Sequence, residues 1–537
     1  MKNNYQRLNV KRTILIFLIL VINLCRAYNQ VNISVYANQE LDPKTEFMQG
    51  FLHGGSGTVD SVKVSKLKPK FWRIGAYFLS GSGYGETKRF NPKITVNIND
   101  LYMIVNNITS QTLSQPWADN WVKWDNLLSM IASNSINNNE PVDVWAVWGE
   151  PDNFWTGTYW QWIELYRRTD SILTAFIPNA KIIGPEFGFG TCNFDVNPIL
   201  QFLDSLYLVG SGVSGVSWHE FCNPHDVLSH VKQVRDSLTV RPWLGNLDIL
   251  IPEYAGPKNY TIPGWNVGWL FYLEKSKVDW VSHSCWNETD DNVSWSNCEV
   301  GLNGLFLSDN FTPQPNYWVH RAYAELNNSR IQTSSTHEKT VALASKENTT
   351  QELKIIVGRY DNPNLGSHNS PVHVEFIVEN YPYCSNCTMP LVIQRIPSNN
   401  VPFSISLNSP ETIFSGFVNF TGNTGRILLN NFVDGDVYLL YINPTTNSVL
   451  ASTMPITQGK NPFFQFYPNP TSEWISLKFW NTQNENEQIQ IFNSMGLLVK
   501  EIIASELSPI NIYDLPNGLY FIGIKDKHQY MEKLIKN

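Results

Sequence analysis

Val-Asp-Val-Trp-Ala-Val-Trp, residues 142–148, is followed at once by Gly149-Glu150-Pro151-Asp152. The seven leading residues are rich in β-branched and aromatic side chains, which is typical of a buried strand. Residues 159–176 then show the apolar spacing of an amphipathic helix. This order predicts a β–α unit with a carboxylic acid at the carboxyl end of its strand, where barrel enzymes place catalytic groups.

The same order of a strand followed by a helix recurs between residues 45 and 328. It predicts an α/β domain, most simply a (β/α)8 TIM barrel. A doubly wound sheet is the alternative, but no G-x-G-x-x-G or P-loop motif follows any of the predicted strands. The other predicted strands lie at Phe47–Leu52, Lys70–Ile74, Ala180–Gly184, Val213–Trp218, Leu247–Ile251 and Val278–Ser284.

The pattern of the chain changes after the predicted barrel, which is assigned to residues 31–330. Residues 331–457 contain short alternating strands without a clear helix, which predicts an accessory β-sandwich. A Gly-Lys-Asn-Pro linker at 459–462 precedes residues 463–537, which are predicted to form a small C-terminal β-sandwich.

Composition limits the class of protein. The chain has 537 residues, and its net charge of −8 is not gathered into blocks. The sequence contains no basic stripe of the kind that would indicate a nucleic-acid partner. Residues 1–27 combine a basic start with a short apolar run, as a signal peptide does, so no membrane span is expected in the mature form.

Six cysteines remain after the predicted signal peptide, an even number that permits disulfides in an exported chain. The closely spaced pairs Cys285/Cys298 and Cys384/Cys387 are the preferred bridges. Cys384-Ser-Asn-Cys387 is also a C-x-x-C motif, but it has no second C-x-x-C or histidine partner nearby. A loop staple is therefore favoured over a zinc or redox site.

A second glutamate, Glu253, ends the apolar run Ile249-Leu250-Ile251-Pro252. Glu150 is assigned to the end of strand 4 and Glu253 to the end of strand 7, which face each other across an eight-stranded barrel. Retaining glycosidases need two carboxyl groups about 5–5.5 Å apart, one as acid/base and one as nucleophile. Trp145 and Trp148 beside Glu150 predict a poorly solvated carboxyl with a raised pKa, as suits a general acid. An ordinary glutamate at a helix N-terminus is the alternative.

The barrel resembles glycoside hydrolase clan A, and within it most closely family 39. The matching residues are Gly50-Phe51-Leu52-His53-Gly54, Trp72-Arg73, Trp218-His219-Glu220 and Trp286, together with the two glutamates. The resemblance implies that Glu150 is the acid/base, Glu253 the nucleophile, and that no metal or cofactor is needed. It implies that Arg73 orients Glu253. The expected substrate-binding residues are His53, Arg73, Trp148, His219, Tyr254 and Trp286.

Gly149 departs from the family, in which an asparagine precedes the acid/base and bonds the sugar 2-hydroxyl. The departure fits a substrate substituted at C2, a displaced site, or lost activity. Sulfated or anhydro-sugar marine galactans fit the first possibility. We therefore expect a secreted retaining glycoside hydrolase acting on a polysaccharide or its oligosaccharides. The alternatives are an inactive carbohydrate-binding surface protein and an inverting enzyme.

The last 75 residues resemble the type IX secretion sorting domain of Bacteroidota. Three motifs carry the resemblance, namely Phe466-Tyr467-Pro468-Asn469-Pro470-Thr471, Ile491-Phe492-Asn493-Ser494-Met495-Gly496 and Asp514-Leu515-Pro516-Asn517-Gly518-Leu519-Tyr520-Phe521. The resemblance implies export by the type IX machinery and a secreted or cell-surface location. It implies no catalytic role for the tail.

Overall fold

Eight parallel strands close into a barrel at the centre of the computed structural model. The structure describes residues 30–41, 48–53, 59–75, 82–109, 115–190, 192–290, 293–326, 329–362, 369–398, 406–445, 449–450, 464–468, 470–479, 487–493, 498–504, 509–524 and 527–537. The predicted signal peptide (1–27) and the linker at 459–462 lie outside these residues. The α/β barrel expected from the sequence is confirmed.

The barrel strands follow one another in chain order around the ring, and the pairing of Phe51 with His283 closes it. The barrel strands are β2 (Gly50–Leu52), β3 (Phe71–Ile74), β4 (Lys93–Asn97), β5 (Val144–Ala146), β6 (Ile182–Phe187), β7 (Gly215–Trp218), β8 (Asp248–Tyr254) and β9 (Trp280–His283).

Each barrel strand is followed by at least one helix, and the apolar faces of these helices cover the sheet. The helices are α1 (Ser61–Lys66), α2 (Ser82–Lys88), α3 (Ile98–Val105), α4 (Val122–Asn137), α5 (Pro151–Phe154), α6 (Tyr159–Phe176), α7 (Val196–Leu208), α8 (Asp226–Thr239), α9 (Pro263–Ser276) and α10 (Pro315–Ala324). Short 3-10 turns occur at Pro116–Asp119 and Pro242–Leu244, and a hairpin follows β9, formed by β10 (Asn287–Asp290) and β11 (Val293–Ser296).

The expected second β-rich domain is confirmed, and its nine strands form one closed sheet around an apolar core. Around the ring the order is β1 (Gln30–Glu40), β12 (Arg330–Ser335), β13 (Thr340–Glu347), β14 (Glu352–Arg359), β19 (Val437–Ile442), β16 (Thr388–Ile396), β17 (Glu411–Thr421), β18 (Thr424–Phe432) and β15 (Val372–Glu379).

The N-terminal strand β1 corrects the predicted start of the barrel at residue 31. It lies in the accessory sheet, antiparallel to β12 and parallel to β15. Its alternating burial places Ile33, Val35 and Ala37 in the core of that sheet. Pairing with strands some 300 residues later in the chain leaves no local mark in the sequence.

Helix α9 joins the barrel to the accessory sheet through tight backbone contacts. The N–H of Gly264 donates to the carbonyl of Gly435 at 2.6 Å, and a Cβ on Gly264 would stand 2.0 Å from the carbonyl oxygen of Arg359. Near the end of the helix, Glu274 pairs with Arg330 at 2.7 Å, and both side chains are buried. The two domains therefore share a packed interface.

The C-terminal strands form two sheets that enclose a separate small core of mainly isoleucine and leucine side chains. The first sheet contains β20 (Phe464–Tyr467), β21 (Trp474–Phe479) and β24 (Ile510–Asn511). The second contains β23 (Leu498–Ala504), β22 (Glu487–Asn493), β25 (Gly518–Ile524) and β26 (Lys527–Lys536).

The described cysteines form three disulfides. Cys285–Cys298 and Cys384–Cys387 agree with the prediction. Cys192–Cys222 joins the loop that follows β6 to the loop that follows β7. Among the described residues, no helix is long and apolar enough to span a bilayer.

Candidate active site

Glu150 follows β5, the fourth barrel strand, after three intervening residues, and it immediately precedes helix α5. Its backbone is left-handed, with φ at 50°, and its N–H donates to the carbonyl of Glu186 at 2.9 Å. One carboxylate oxygen contacts Nδ1 of His219 at 3.0 Å, and the other accepts from Nδ2 of Asn153 at 3.1 Å. The side chain keeps 21% of its surface exposed, so it remains open to the cleft.

The electrostatic surroundings of Glu150 differ from the expectation. Burial is the largest single influence and raises the pKa of this carboxyl, whereas the hydrogen bond and the charge of His219 lower it. Asn153 and Arg73 act in the same direction, and the net pKa of Glu150 is lowered. The expected raised pKa is therefore wrong for the free protein, because the barrel places an imidazole against the carboxylate.

Glu253 lies in β8, the seventh barrel strand, and points into the same pocket. Its Oε1 accepts from Nη1 of Arg73 at 2.6 Å, and its side chain is 20% exposed. Arg73, on β3, is almost fully buried, so its charge is directed at the carboxylates around it rather than at solvent. Those carboxylates raise the pKa of Arg73, against the effect of burial, and keep it a cation.

The second partner of Arg73 is Glu186, a residue that the sequence analysis missed. Nη2 of Arg73 donates to Oε2 of Glu186 at 3.1 Å, and the Glu186 side chain has no exposed surface. Burial raises the pKa of this carboxyl. A signal existed in the sequence, because Ile182-Ile183-Gly184-Pro185-Glu186 ends an apolar strand with Pro-Glu, as Glu253 does.

His219 follows β7, the sixth strand, and connects the two exposed carboxylates electrostatically. Burial by itself lowers the pKa of an imidazole, but the charges of Glu253 and Glu150 and the hydrogen bond to the Glu150 carboxylate oppose it, and the pKa of His219 is raised. Its backbone N–H donates to the carbonyl of Phe187 at 2.9 Å, which joins the chain after strand 6 to strand 5. His219 is therefore a cation over a wider pH range than a free imidazole.

Two further predicted residues lie at the rim of this pocket. His53 follows the first barrel strand, is partly exposed, and has Nε2 3.5 Å from Oδ2 of Asp100. Trp286 follows the last barrel strand, and its indole N–H donates to the carbonyl of Ala255 at 3.1 Å. The Trp286 ring is partly exposed and meets Phe221 edge to face.

Trp148 and Tyr254 correct the prediction, because both are fully buried and offer no surface to a substrate. The Trp148 ring packs against Tyr102 and Trp124, outside the strand wall. The Tyr254 ring packs against Trp269 of helix α9, and burial raises its pKa. Since successive residues of a strand point to opposite faces, Glu253 points into the barrel while Tyr254 points toward the helices.

The position of Gly149 has room for a side chain. A Cβ built there would meet nothing nearer than Nη2 of Arg73, at 3.5 Å, with Glu186 and Asn99 just beyond. The N–H of Gly149 donates to Oδ1 of Asn99 at 3.2 Å. The φ angle of Gly149 lies outside the left-handed region, so the turn does not itself require glycine.

The described residues contain no group of three histidine, cysteine, aspartate or glutamate side chains arranged to hold a metal ion. The chemistry that this arrangement offers is that of carboxylates, one imidazole and one guanidinium.

Comparison with known proteins shows what the C-terminal part is. Residues 465–537 match the family model described as a secretion system C-terminal sorting domain. This segment is a sorting domain. It marks the protein for type IX secretion and a secreted or cell-surface location, as the sequence predicted. No curated protein matches the chain in sequence.

The rest of the chain is similar in fold to solved structures, and those include glycoside hydrolases. A protein of Neocallimastix frontalis is 18% identical with a TM-score of 0.61, covering 77% of this chain and 100% of its own. A monomeric beta-xylosidase from Caulobacter crescentus is 14% identical with a TM-score of 0.55, covering 78% and 99%. A GH39 enzyme from Xanthomonas axonopodis pv. citri is 14% identical with a TM-score of 0.54, covering 77% and 97%. At these identities the likeness shows the fold.

Proposed function

We propose that this chain is a retaining glycoside hydrolase that cleaves a polysaccharide or its oligosaccharides outside the cell. The observation that supports it most is the pair of partly exposed carboxylates at the ends of strands 4 and 7 of one barrel, Glu150 and Glu253. Each has its own cationic partner, His219 and Arg73 respectively. Two carboxylates held in different surroundings suit the two roles of a double displacement.

In the first step Glu253 attacks the anomeric carbon while the bond from that carbon to the leaving oxygen breaks. Arg73 holds Glu253 ionised and fixes the orientation of its carboxylate. Glu150 gives its proton to the leaving oxygen, so the departing sugar leaves as a neutral alcohol. The product of this step is a glycosyl ester on Glu253.

In the second step Glu150, now ionised, takes a proton from water, and the water oxygen attacks the anomeric carbon. The ester bond to Glu253 breaks and the sugar is released with its original configuration. The lowered pKa of Glu150 keeps its carboxyl ionised, which is the state that this step needs. The same lowered pKa leaves less of the protonated Glu150 that the first step needs, so we expect an acidic pH optimum.

An inactive carbohydrate-binding surface protein is the second candidate. Gly149 favours it, because the amide that related enzymes present at this position is missing, and so does the lowered pKa of Glu150 in the free protein. The space at Gly149 favours activity instead if the substrate carries a substituent at C2, because that substituent could occupy the open position. Sulfated and anhydro-sugar galactans therefore belong in any substrate panel.

The test is hydrolysis of neutral and sulfated polysaccharides and of aryl glycosides by the wild type, Glu150→Gln and Glu253→Gln. Each variant should lose activity by about 10²–10⁴-fold or more. Glu274→Gln is the matched control, because it alters a buried glutamate–arginine pair far from the pocket. Wild-type binding without hydrolysis of any substrate indicates the inactive binder. Near-wild-type turnover in either catalytic variant refutes the assignment.

A further inference from the structure

Glu186, near the end of the fifth barrel strand, contacts groups that hold both partly exposed carboxylates, those of Glu150 and Glu253. Its carbonyl oxygen accepts the N–H of Glu150 at 2.9 Å. Its carboxylate accepts from the same Arg73 guanidinium that holds Glu253. Glu150 follows β5 and Glu253 lies in β8, two strands that are not neighbours in the barrel, so this single residue connects them structurally.

The backbone around Glu186 is held in an uncommon conformation. Glu186 and Glu150 both have left-handed φ angles, of 58° and 50°. Non-glycine residues adopt this region at a cost, and such positions concentrate at functional sites. Two residues further on, a Cβ on Gly188 would lie 2.8 Å from the carboxyl carbon of Glu150. The segment 186–188 therefore packs directly against the catalytic side chain.

The Glu186 side chain is unsuited to touching substrate, since none of its surface is exposed. Its Oε1 has no hydrogen-bond partner among the described residues, while Oε2 holds Arg73. Burying a carboxylate costs desolvation free energy, so its presence here indicates that its interaction with the neighbouring cation has a role. The role that remains is to act through Arg73 and the backbone.

We propose that Glu186 is a positioning residue, which orients Arg73 against Glu253 and fixes the backbone of Glu150. This inference rests on the proposed function and identifies the element that couples its two carboxylates. The charge of Glu186 also acts on the groups that face it from neighbouring elements. Those groups are Arg73 on β3, Asp100 on α3, Tyr166 on α6, His219 after β7 and Glu253 on β8.

Three variants separate orientation from charge. Glu186→Gln keeps the shape and removes the charge, and Glu186→Asp keeps the charge but shortens the reach to Arg73. Glu274→Gln removes the charge of an equally buried glutamate, paired with Arg330 at the domain interface. For each we would measure kcat and KM on an aryl glycoside, the pH profile of kcat, thermal melting, and the titration of His219 by NMR.

For Glu186→Gln we expect kcat to fall about tenfold or more with little change in KM, because misplacement of a reacting group costs rate rather than binding. Loss of a negative charge near the cluster should move both limbs of the pH profile, and the titration of His219, to lower pH. Glu186→Asp should lower kcat but leave the His219 titration unchanged. Glu274→Gln should leave kcat, the pH profile and His219 unchanged.

A wild-type kcat and an unmoved His219 titration in Glu186→Gln would overturn the proposal, as would the same shifts in Glu274→Gln. If Glu186→Gln does not fold, Glu186→Asp decides through its kcat and KM. If the wild type hydrolyses no substrate, the proposed function fails by itself. The His219 titration still decides then whether Glu186 acts on the cluster, because it needs no turnover.

Discussion

Arg73→Met is the substitution whose effect on the free energy of unfolding follows most directly from the burial of Arg73 and its partners. Arg73 is 1% exposed and pairs with Glu186, which is 0% exposed, and with Glu253, which is 20% exposed. Removing the cation leaves Glu186 as an uncompensated buried charge, which costs about 3–5 kcal/mol. Glu253 adds less, since it retains contact with solvent. We therefore expect a loss of about 3–5 kcal/mol in the free energy of unfolding at pH 7.

The double variant Arg73→Met/Glu186→Gln should recover much of this loss, because the unpaired buried charge is then gone. Arg241→Met is the matched control. Its partner Asp204 lies 3.2 Å away and is 39% exposed, so this surface pair contributes only about 0–1 kcal/mol. Urea unfolding followed by circular dichroism measures all three variants.

The sign of the pH dependence follows from Glu186. Burial raises its folded-state pKa, so the native state binds its proton more tightly than the unfolded state does. Stability from this group is greatest below the ordinary carboxyl pKa and declines as pH rises through the raised folded pKa. The defect of Arg73→Met should therefore shrink in acid. Wild-type stability of Arg73→Met at pH 7, or a double variant no better than the single one, would refute the reasoning.

Three further outcomes are expected. His219→Asn should move the basic limb of kcat/KM to higher pH, because burial then raises the pKa of Glu150 with no imidazolium opposing it. A pH–rate profile with an unmoved limb contradicts this. Truncation after Gln458 should preserve melting and activity of the rest, since residues 465–537 match a sorting domain and have their own core; misfolding of the truncated protein contradicts that. Gly149→Asn should lower kcat/KM on a C2-substituted sugar and raise it where the 2-hydroxyl is free, and equal effects on both remove the substituted-sugar idea.

Local pattern was sufficient to predict the barrel and the two carboxylates at strand ends. Apolar runs followed by helical spacing give the β–α repeat, and Glu150 and Glu253 each end such a run. The third strand, Lys93–Asn97, begins with an exposed lysine and was missed, so only seven of the eight barrel strands were located in the sequence. The predicted strand at Ala180–Gly184 also ended too early, because the strand continues to Phe187. Glu186 was therefore not considered as a third carboxylate of the site.

The remaining errors concern contacts between distant parts of the chain. His219 is 69 residues from Glu150 in sequence, so its effect on the Glu150 pKa has no local signal. Tyr254 could have been excluded from the sequence, because it alternates with the inward-pointing Glu253 on the same strand. Trp148 lies beyond the end of β5, where alternation does not fix its direction, and its ring also points away from the pocket. The N-terminal strand β1 joins a sheet formed mainly from residues beyond 330.

The anomeric configuration of the first-formed product tests the central claim most directly. Proton NMR, recorded within minutes of adding wild-type protein to a substrate that the panel identifies, observes this anomer before mutarotation. The proposed double displacement by Glu253 and Glu150 predicts a product with the configuration of the bond that was cleaved. A first product of inverted configuration would contradict the account.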